Sequence, residues 1–330
     1  GYPGTEILIY VGAVMTCFPI FYAVIENDLR KVLSYSLINQ LGFMVCGIGI
    51  GTALALNGAV AHAFSHILYK SLLFMSMGAV LYRVGNIYAS DLGGLYKSMP
   101  KTTVRCIIGA ASISALPLFG GFVSKSLVMS ALLEGGHTIV WLMLLFASAG
   151  VLHHAGIKVP FFAFFAHDSG IRTREAPTNM LIAMAIAAAL CVLIGTQPQY
   201  LYAMLPWQMD YWPYDVTHVL AQLQLLFFAA LAFVWMEIKG YAPPELHSTN
   251  LDVDWFYRKL LPKTGRSIYR ASRKLREGFD SVISSSLQGT QSLLRRTRFS
   301  DHYLADWPTG SMVMWIAVIL GGYLLMDHIL

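Results

Sequence analysis

Charge is what this sequence has least of. Only 12% of its 330 residues are Asp, Glu, Lys or Arg, against roughly 25% in soluble domains. That shortage excludes an ordinary water-soluble globule. Cysteine is sparse too: Cys17, Cys46, Cys106 and Cys191 stand singly in apolar stretches, without paired spacing. A disulfide framework, a zinc finger and an iron–sulfur cluster are thereby disfavoured, and small buried hydrophobes are the expected role. No signal-peptide pattern precedes the first apolar run, and none is needed where the spans themselves insert. The sequence opens on Gly1 rather than Met, so a fragment, a processed chain and a split gene product all stand open.

What is abundant is apolar material. It makes up 56% of the residues and falls in blocks of about 18 to 28, which is bilayer-spanning length. The expected fold is an all-α polytopic membrane protein with eight membrane segments near 7–25, 32–51, 57–82, 103–133, 139–165, 180–195, 216–235 and 312–325. Basic residues test that count. Arg30 and Lys31 follow the first span; Arg83, Lys97, Lys101 and Arg105 follow the third. Lys158, Arg172 and Arg174 end or follow the fifth, and a long basic stretch follows the seventh. The intervening loops hold no Lys or Arg, so every second loop is basic, as the positive-inside rule requires. Both termini are then expected outside and the basic loops in the cytoplasm.

The third span carries His62, His66 and Lys70 near its middle. Recurring every fourth residue, they form one polar line on a helix. Ionisable groups at mid-bilayer cost several kcal/mol on insertion scales, so they face a bundle interior or water and are functional candidates by default. Histidine titrates near neutrality, and burial brings lysine toward that range. Such groups suit a proton path.

The fourth segment has Pro117 and Gly120–Gly121 at its centre, with Lys125 just beyond. Proline removes a backbone donor and glycine tolerates unusual dihedrals, which predicts two half-helices joined by a non-helical peptide. Discontinuous helices beside mid-membrane charges build transporter ion sites. The competing reading of Lys125 is a proline kink with the lysine snorkelling to the interface. His153, His154 and Lys158, in the cytoplasmic half of the fifth span, read as an exit or as interfacial anchors. Glu134, His137, Asp327 and His328 are placed near the outer surface, and His218, opening the seventh span, at the interface.

Between the last two spans, Ile268, Leu275, Phe279, Val282, Ile283, Leu287 and Leu294 make an apolar stripe at helical spacing, with Arg266, Arg270, Arg273, Lys274 and Arg276 around it. A basic amphipathic helix tethered to a span is expected to lie in the cytoplasmic interface, with Gly278 and Gly289 as points of interruption. Nucleic-acid binding is disfavoured by the stripe and the tether. Two other motifs fail. His62–His66 has metalloprotease spacing, but Ala63 stands where the glutamate must be. The GIGIG of residues 47–51 has no βαβ context, so helix packing explains its glycines better than a dinucleotide does. No cofactor and no metal is expected.

Three stretches resemble one family. ENDLRKVLSYSLINQLGF (26–43), AHAFSHILYKSLLF (61–74) and SALPLFGGFVSKS (114–126) are similar, in order and spacing, to signatures of the antiporter-type subunits. That family is shared by Mrp multisubunit Na+/H+ antiporters and respiratory complex I. AGIKVPFFAFFAHDSGIRTREAP (155–177) and NLDVDWFYRKL (250–260) place the likeness nearest the D-type members of the Mrp branch. The resemblance implies that Lys125 is the proton-holding lysine of the discontinuous helix, Lys70 the central relay, and His66 and His62 its continuation. Asp28 and Lys31 fall in the first signature; Arg30 replaces its usual lysine, so a relay there would use Lys31. It further implies two inverted five-helix repeats, of which only the second is found here; either the chain is the C-terminal part of such a subunit or another polypeptide supplies the first repeat.

The domains expected are therefore residues 1–166, the second repeat carrying the ion path; 167–236, peripheral transmembrane helices; 237–310, a cytoplasmic basic amphipathic segment; and 311–330, the final span. The function expected is that of a proton-translocating subunit of a monovalent cation (Na+)/H+ antiporter, not an enzyme. Its partners would be other membrane subunits, H+, a monovalent cation and the lipid of a bacterial inner membrane. A proton-pumping subunit of a complex I-like redox enzyme and a truncated, non-transporting scaffold are the alternatives.

Overall fold

A computed structural model describes residues 5–248, 250–296 and 309–329. The first helices are long although Pro19 and several glycines lie inside them, and caps mark the ends of the second and third. Helix α1 runs Glu6–Ile25 and α2 Leu29–Ile50. Asp28 caps α2, accepting from the main-chain N–H groups of Arg30 (2.9 Å) and Lys31 (3.4 Å), while the Glu26 carboxylate holds the N–H groups of Asn27 and Asp28, each at 3.1 Å. Carboxylates are favoured at this end of a helix by unpaired donors and the dipole. Thr52 caps α3, Ala53–Val84, which stops at Gly85 in the left-handed region, φ 77°. Gly47 and Gly49 lie where a Cβ would press on the Ala55 carbonyl and on the backbone of Ile9. They serve close helix packing, as expected.

The fourth segment is broken into α4, Pro100–Ile113, and α5, Gly120–Glu134. Helix α6, Thr138–Val151, passes into π-helical turns at Leu152–Lys158 and Phe161–Phe165. Beyond it come α7 (Thr178–Thr196), the short α8 (Pro198–Tyr202) and α9 (Val216–Lys239). Among the described residues, six helices, or helix runs, are long and apolar enough to cross a membrane, and the broken α4–α5 segment and a shorter apolar helix at Gly310–Met326 add to them. The expected all-helical membrane architecture is the one observed.

Residues 1–250 form one compact unit and 251–330 a second. In the first, apolar side chains are buried between helices and also line the outside: Val60, Phe64 and Ile67 on α3 are 44%, 42% and 66% exposed, while His62, Ser65, His66, Tyr69 and Lys70 on the same helix are buried. An α-helix with its polar line inward and its apolar line outward is made for lipid. In the second unit, α10 (Leu261–Arg296) and α11 (Thr309–Ile329) follow a π-helical turn at Phe256–Leu260. Helix α10 is unbroken at Gly278 and Gly289, correcting the expected interruption; its 36 residues reach roughly 50 Å at 1.5 Å per residue. Ile268, Leu275, Phe279 and Ile283 of its stripe are exposed. The side chains of Val282, Leu287, Leu294, Asp327 and His328 lie outside the described residues.

Candidate functional site

The site is assembled around the break between α4 and α5. Ala115 (φ 57°) and Leu118 (φ 76°) take the left-handed region without being glycine, a conformation that costs on the order of 1–3 kcal/mol each and persists only where the surroundings enforce it. Here they do. A Cβ at Gly121 would overlap the Ser112 carbonyl, and one at Gly195 of α7 would overlap that of Leu118. Gly120 and Gly121 belong to the first turn of α5 rather than to the irregular peptide. Their expected role is thus corrected: the unusual dihedrals fall on Ala115 and Leu118, and Gly121 is needed for close approach.

The backbone groups freed by the break find side chains. In an unbroken helix the Ile113 carbonyl would accept from the N–H four residues on, but that residue is Pro117. The Lys125 ammonium donates to it instead, at 2.9 Å, with the Phe43 ring 5.2 Å away. The Ser114 carbonyl accepts from Gln222 of α9 at 3.2 Å, and the Leu118 N–H donates to the Tyr214 hydroxyl at 3.2 Å. Tyr214 in turn donates to the Gly195 carbonyl. Buried polar backbone is made tolerable in this way. Lys125 is 4% exposed, so the snorkelling reading is ruled out.

From Lys125 the polar groups continue in two directions. Its neighbour Ser124 meets His62 Nδ1 at 3.0 Å, and His62 Nε2 lies 3.2 Å from Gln40 Oε1, which also accepts from the Tyr69 hydroxyl at 3.0 Å. The His66 ring sits 6.4 Å from His62 and 5.4 Å from Tyr69, centre to centre. Then comes Lys70, buried, with its ammonium 5.8 Å from the Phe74 ring centre. His66 Nε2 and Lys70 Nζ have no hydrogen-bond partner among the described residues. Toward the other side, a cavity of about 100 Å³ touches Lys125, Ser126, Ser130, His218 and Gln222. Its other walls, Phe122, Leu133 and Trp141 among them, are mostly apolar, so water in it would find partners only along the polar strip. At its far end His218 bonds Ser130 at 3.2 Å and Asp215 at 2.7 Å. His218 thus belongs to the edge of the site and is more than an interfacial residue.

At the opposite ends of α1 and α6, Lys158 is wholly enclosed. Its ammonium donates to the carbonyls of Val24 (2.6 Å) and Glu26 (2.8 Å) and pairs with Glu245 at 2.8 Å. The interfacial-anchor reading of Lys158 is therefore corrected, because a side chain 2% exposed does not snorkel. Burial pushes the Glu245 carboxyl up, and Lys158 opposes that shift. His154 is buried, while half-buried His153 packs edge-on against Phe233 at 4.9 Å. All three basic residues lie on the π-helical turn, a distortion common at functional sites. Lys31 is exposed and Asp28 is spent on capping α2, so the structure brings neither into the buried file.

Sequence reasoning missed Gln40, Tyr69, Ser124, Gln222 and Glu245. A neutral polar residue inside an apolar span was the available signal for the first three.

The chain matches known proteins over part of its length. Residues 4–153 match the family model described as NADH:quinone oxidoreductase/Mrp antiporter, transmembrane. The chain is 29% identical over 215 residues to Hydrogenase-4 component B of Escherichia coli, covering 58% of this chain and 32% of that protein. It is 31% identical over 212 residues to the D-type component of the Na(+)/H(+) antiporter of Alkalihalophilus pseudofirmus, covering 62% and 42%. The chain therefore spans 32% and 42% of these two relatives' lengths. Among solved structures, that of the Mrp complex from Dietzia sp. DQ12-45-1b superposes with a TM-score of 0.63 at 23% identity, covering 98% of this chain and 34% of the other. That likeness concerns the fold.

Proposed function

We propose that this chain, whose residues 4–153 are an antiporter-type transmembrane region of the Mrp or complex I kind, moves protons within a multisubunit exchanger of H+ for a monovalent cation such as Na+. One observation carries the reading. Lys70 Nζ and His66 Nε2 are buried in the bundle without partners among the described residues, the His66 ring lies 6.4 Å from that of His62, and His62 bonds Ser124, the residue before Lys125 at the helix break. A permanent structural charge would be paired; a group that must gain and lose a proton is better left free.

The proton path runs between the Lys158 end and the His218 end. Lys158, His154 and Lys70 line the half nearest the basic loops, which the positive-inside rule puts in the cytoplasm. His62 and Lys125 hold the middle, and the cavity reaching His218 and Asp215 opens the other half. When a like charge approaches Lys125, its proton leaves through water toward His62 or toward that cavity. Each tenfold change in a proton equilibrium needs about 1.4 kcal/mol, so small displacements at the break suffice. The setting that fits is a bacterial inner membrane, with neighbouring membrane subunits supplying the remainder of the exchanger.

The test is cation-dependent ΔpH in vesicles holding the assembled complex, with Lys125→Ala and Lys70→Ala compared with wild type. Loss of exchange in both supports the reading, whereas a scaffold would leave exchange intact. The likeness to Hydrogenase-4 component B favours a second reading, in which the same file is driven by a redox module. Partner subunits that bear clusters or quinone sites would decide for it.

A further inference from the structure

The surroundings of Lys158 contain more than an ion pair. Every group touching its ammonium is an oxygen: the Val24 and Glu26 carbonyls and Glu245 Oε1, at 2.6 to 2.8 Å. Val24 lies in the last turn of α1 and Glu26 is its C-cap, where helix carbonyls point outward without intrahelical partners and the dipole favours a cation. Glu245 arrives from elsewhere, on the segment that follows α9. Its second oxygen, Oε2, is buried with no partner among the described residues. An enclosed cluster of carbonyls and carboxylate at a helix C-terminus is how membrane carriers coordinate alkali cations.

The charge balance points the same way. Besides Glu245 in direct contact, the carboxylates of Glu26 and Glu237 act on both Lys158 and Glu245 from a distance, so negative charge exceeds the one ammonium there. His153 and His154 on the same turn, and Lys70 of α3, are the other titratable groups within electrostatic reach. Lys158 occupies a site with capacity for a cation that is not tethered to the chain.

We propose that these oxygens form an alkali-cation site, and that Na+ and the Lys158 ammonium occupy it in turn. The inference rests on the exchange reading above and names where the cation enters. When Na+ binds Val24 O, Glu26 O and Glu245, the ammonium withdraws and gives up its proton, directly or by way of His154, to water at the cytoplasmic face. One positive charge enters as one leaves, so the site stays balanced. Glu245 and Lys158 thereby link cation entry to the proton file.

The experiment uses the purified full chain and two readouts. Adding NaCl, but not choline chloride of equal concentration, to wild type in a weakly buffered medium releases protons, and Glu245→Gln abolishes that release. In Lys158→Met the site is left to Na+, so NaCl raises the melting temperature by several degrees over choline chloride; the pair Lys158→Met and Glu245→Gln together removes the rise. Should Lys158→Met fail to fold, the release comparison decides alone. No Na+-specific release from wild type, or full release from Glu245→Gln, overturns the site. If the wild-type complex still exchanges H+ for Na+ in vesicles, only the site falls; if it exchanges nothing, the functional reading falls with it.

Discussion

Lys125 donates to the carbonyl of Ile113 at 2.9 Å, the acceptor that Pro117, lacking an N–H, cannot satisfy. One proline thus creates both the break and the hydrogen-bond partner of the buried lysine beside it. The ammonium has a reason to stay where it is, and the broken helix has a reason to stay broken. Ion chemistry and fold stability meet in a single contact.

Replacing Lys125 should accordingly affect both. Lys125→Ala leaves a buried carbonyl without a donor, at a cost of about 1–3 kcal/mol, and is expected to lower the melting temperature as well as abolish ΔpH formation. Retention of wild-type melting behaviour would contradict the proposed coupling.

Lys70 should behave oppositely. Its ammonium is buried without a hydrogen-bond partner among the described residues, so Lys70→Met removes a desolvated group and restores apolar packing. The protein is expected to be as stable as wild type or more so, yet inactive in proton movement. A thermal melt beside a vesicle assay checks both halves.

Gly121 is the tightest point of the break. In Gly121→Ala the new methyl meets the Ser112 carbonyl, and overpacking of this kind costs about 1–3 kcal/mol. Backbone must shift, carrying Lys125 with it. The melting temperature should fall and transport should drop even though no titratable group has changed. Gly278→Ala, in open space on α10, is the control: alanine favours the helix, so neither the melting temperature nor transport should fall.

The loop around Asp168 has a pH dependence that can be signed. Hydrogen bonds from Arg172 and Lys97, then from the Gly170 N–H, hold its carboxyl well below the usual carboxylate range. Its folded value is depressed, so its contribution is complete above the unfolded value near 3.9 and fades as pH falls through the folded one. Protection factors of the amides in residues 93–97 and 168–172, which remove the intrinsic pH dependence of exchange, should be flat from neutral pH down to about 4 and fall only below that. Asp168→Asn should show the lower protection already at neutral pH.

Much of this molecule is legible in its residues taken alone. Apolar run lengths determine how many segments cross the bilayer, and the fourfold spacing of His62, His66 and Lys70 determines that they share a face, because the helix period admits no other arrangement. Pro117 marks the break because its chemistry is local. Partners were not legible. Gln40 and Ser124 stand out only as neutral polar residues in apolar spans, and nothing in their own stretch says which side chains they meet. Glu245 stands far along the chain from Lys158, in a segment that reads as a linker. Whether a lysine near a span end snorkels or is enclosed depends on what packs over it, and that is decided by tertiary structure. The left-handed backbone at Ala115 and Leu118 has the same origin: only the surrounding helices enforce what those residues avoid by themselves.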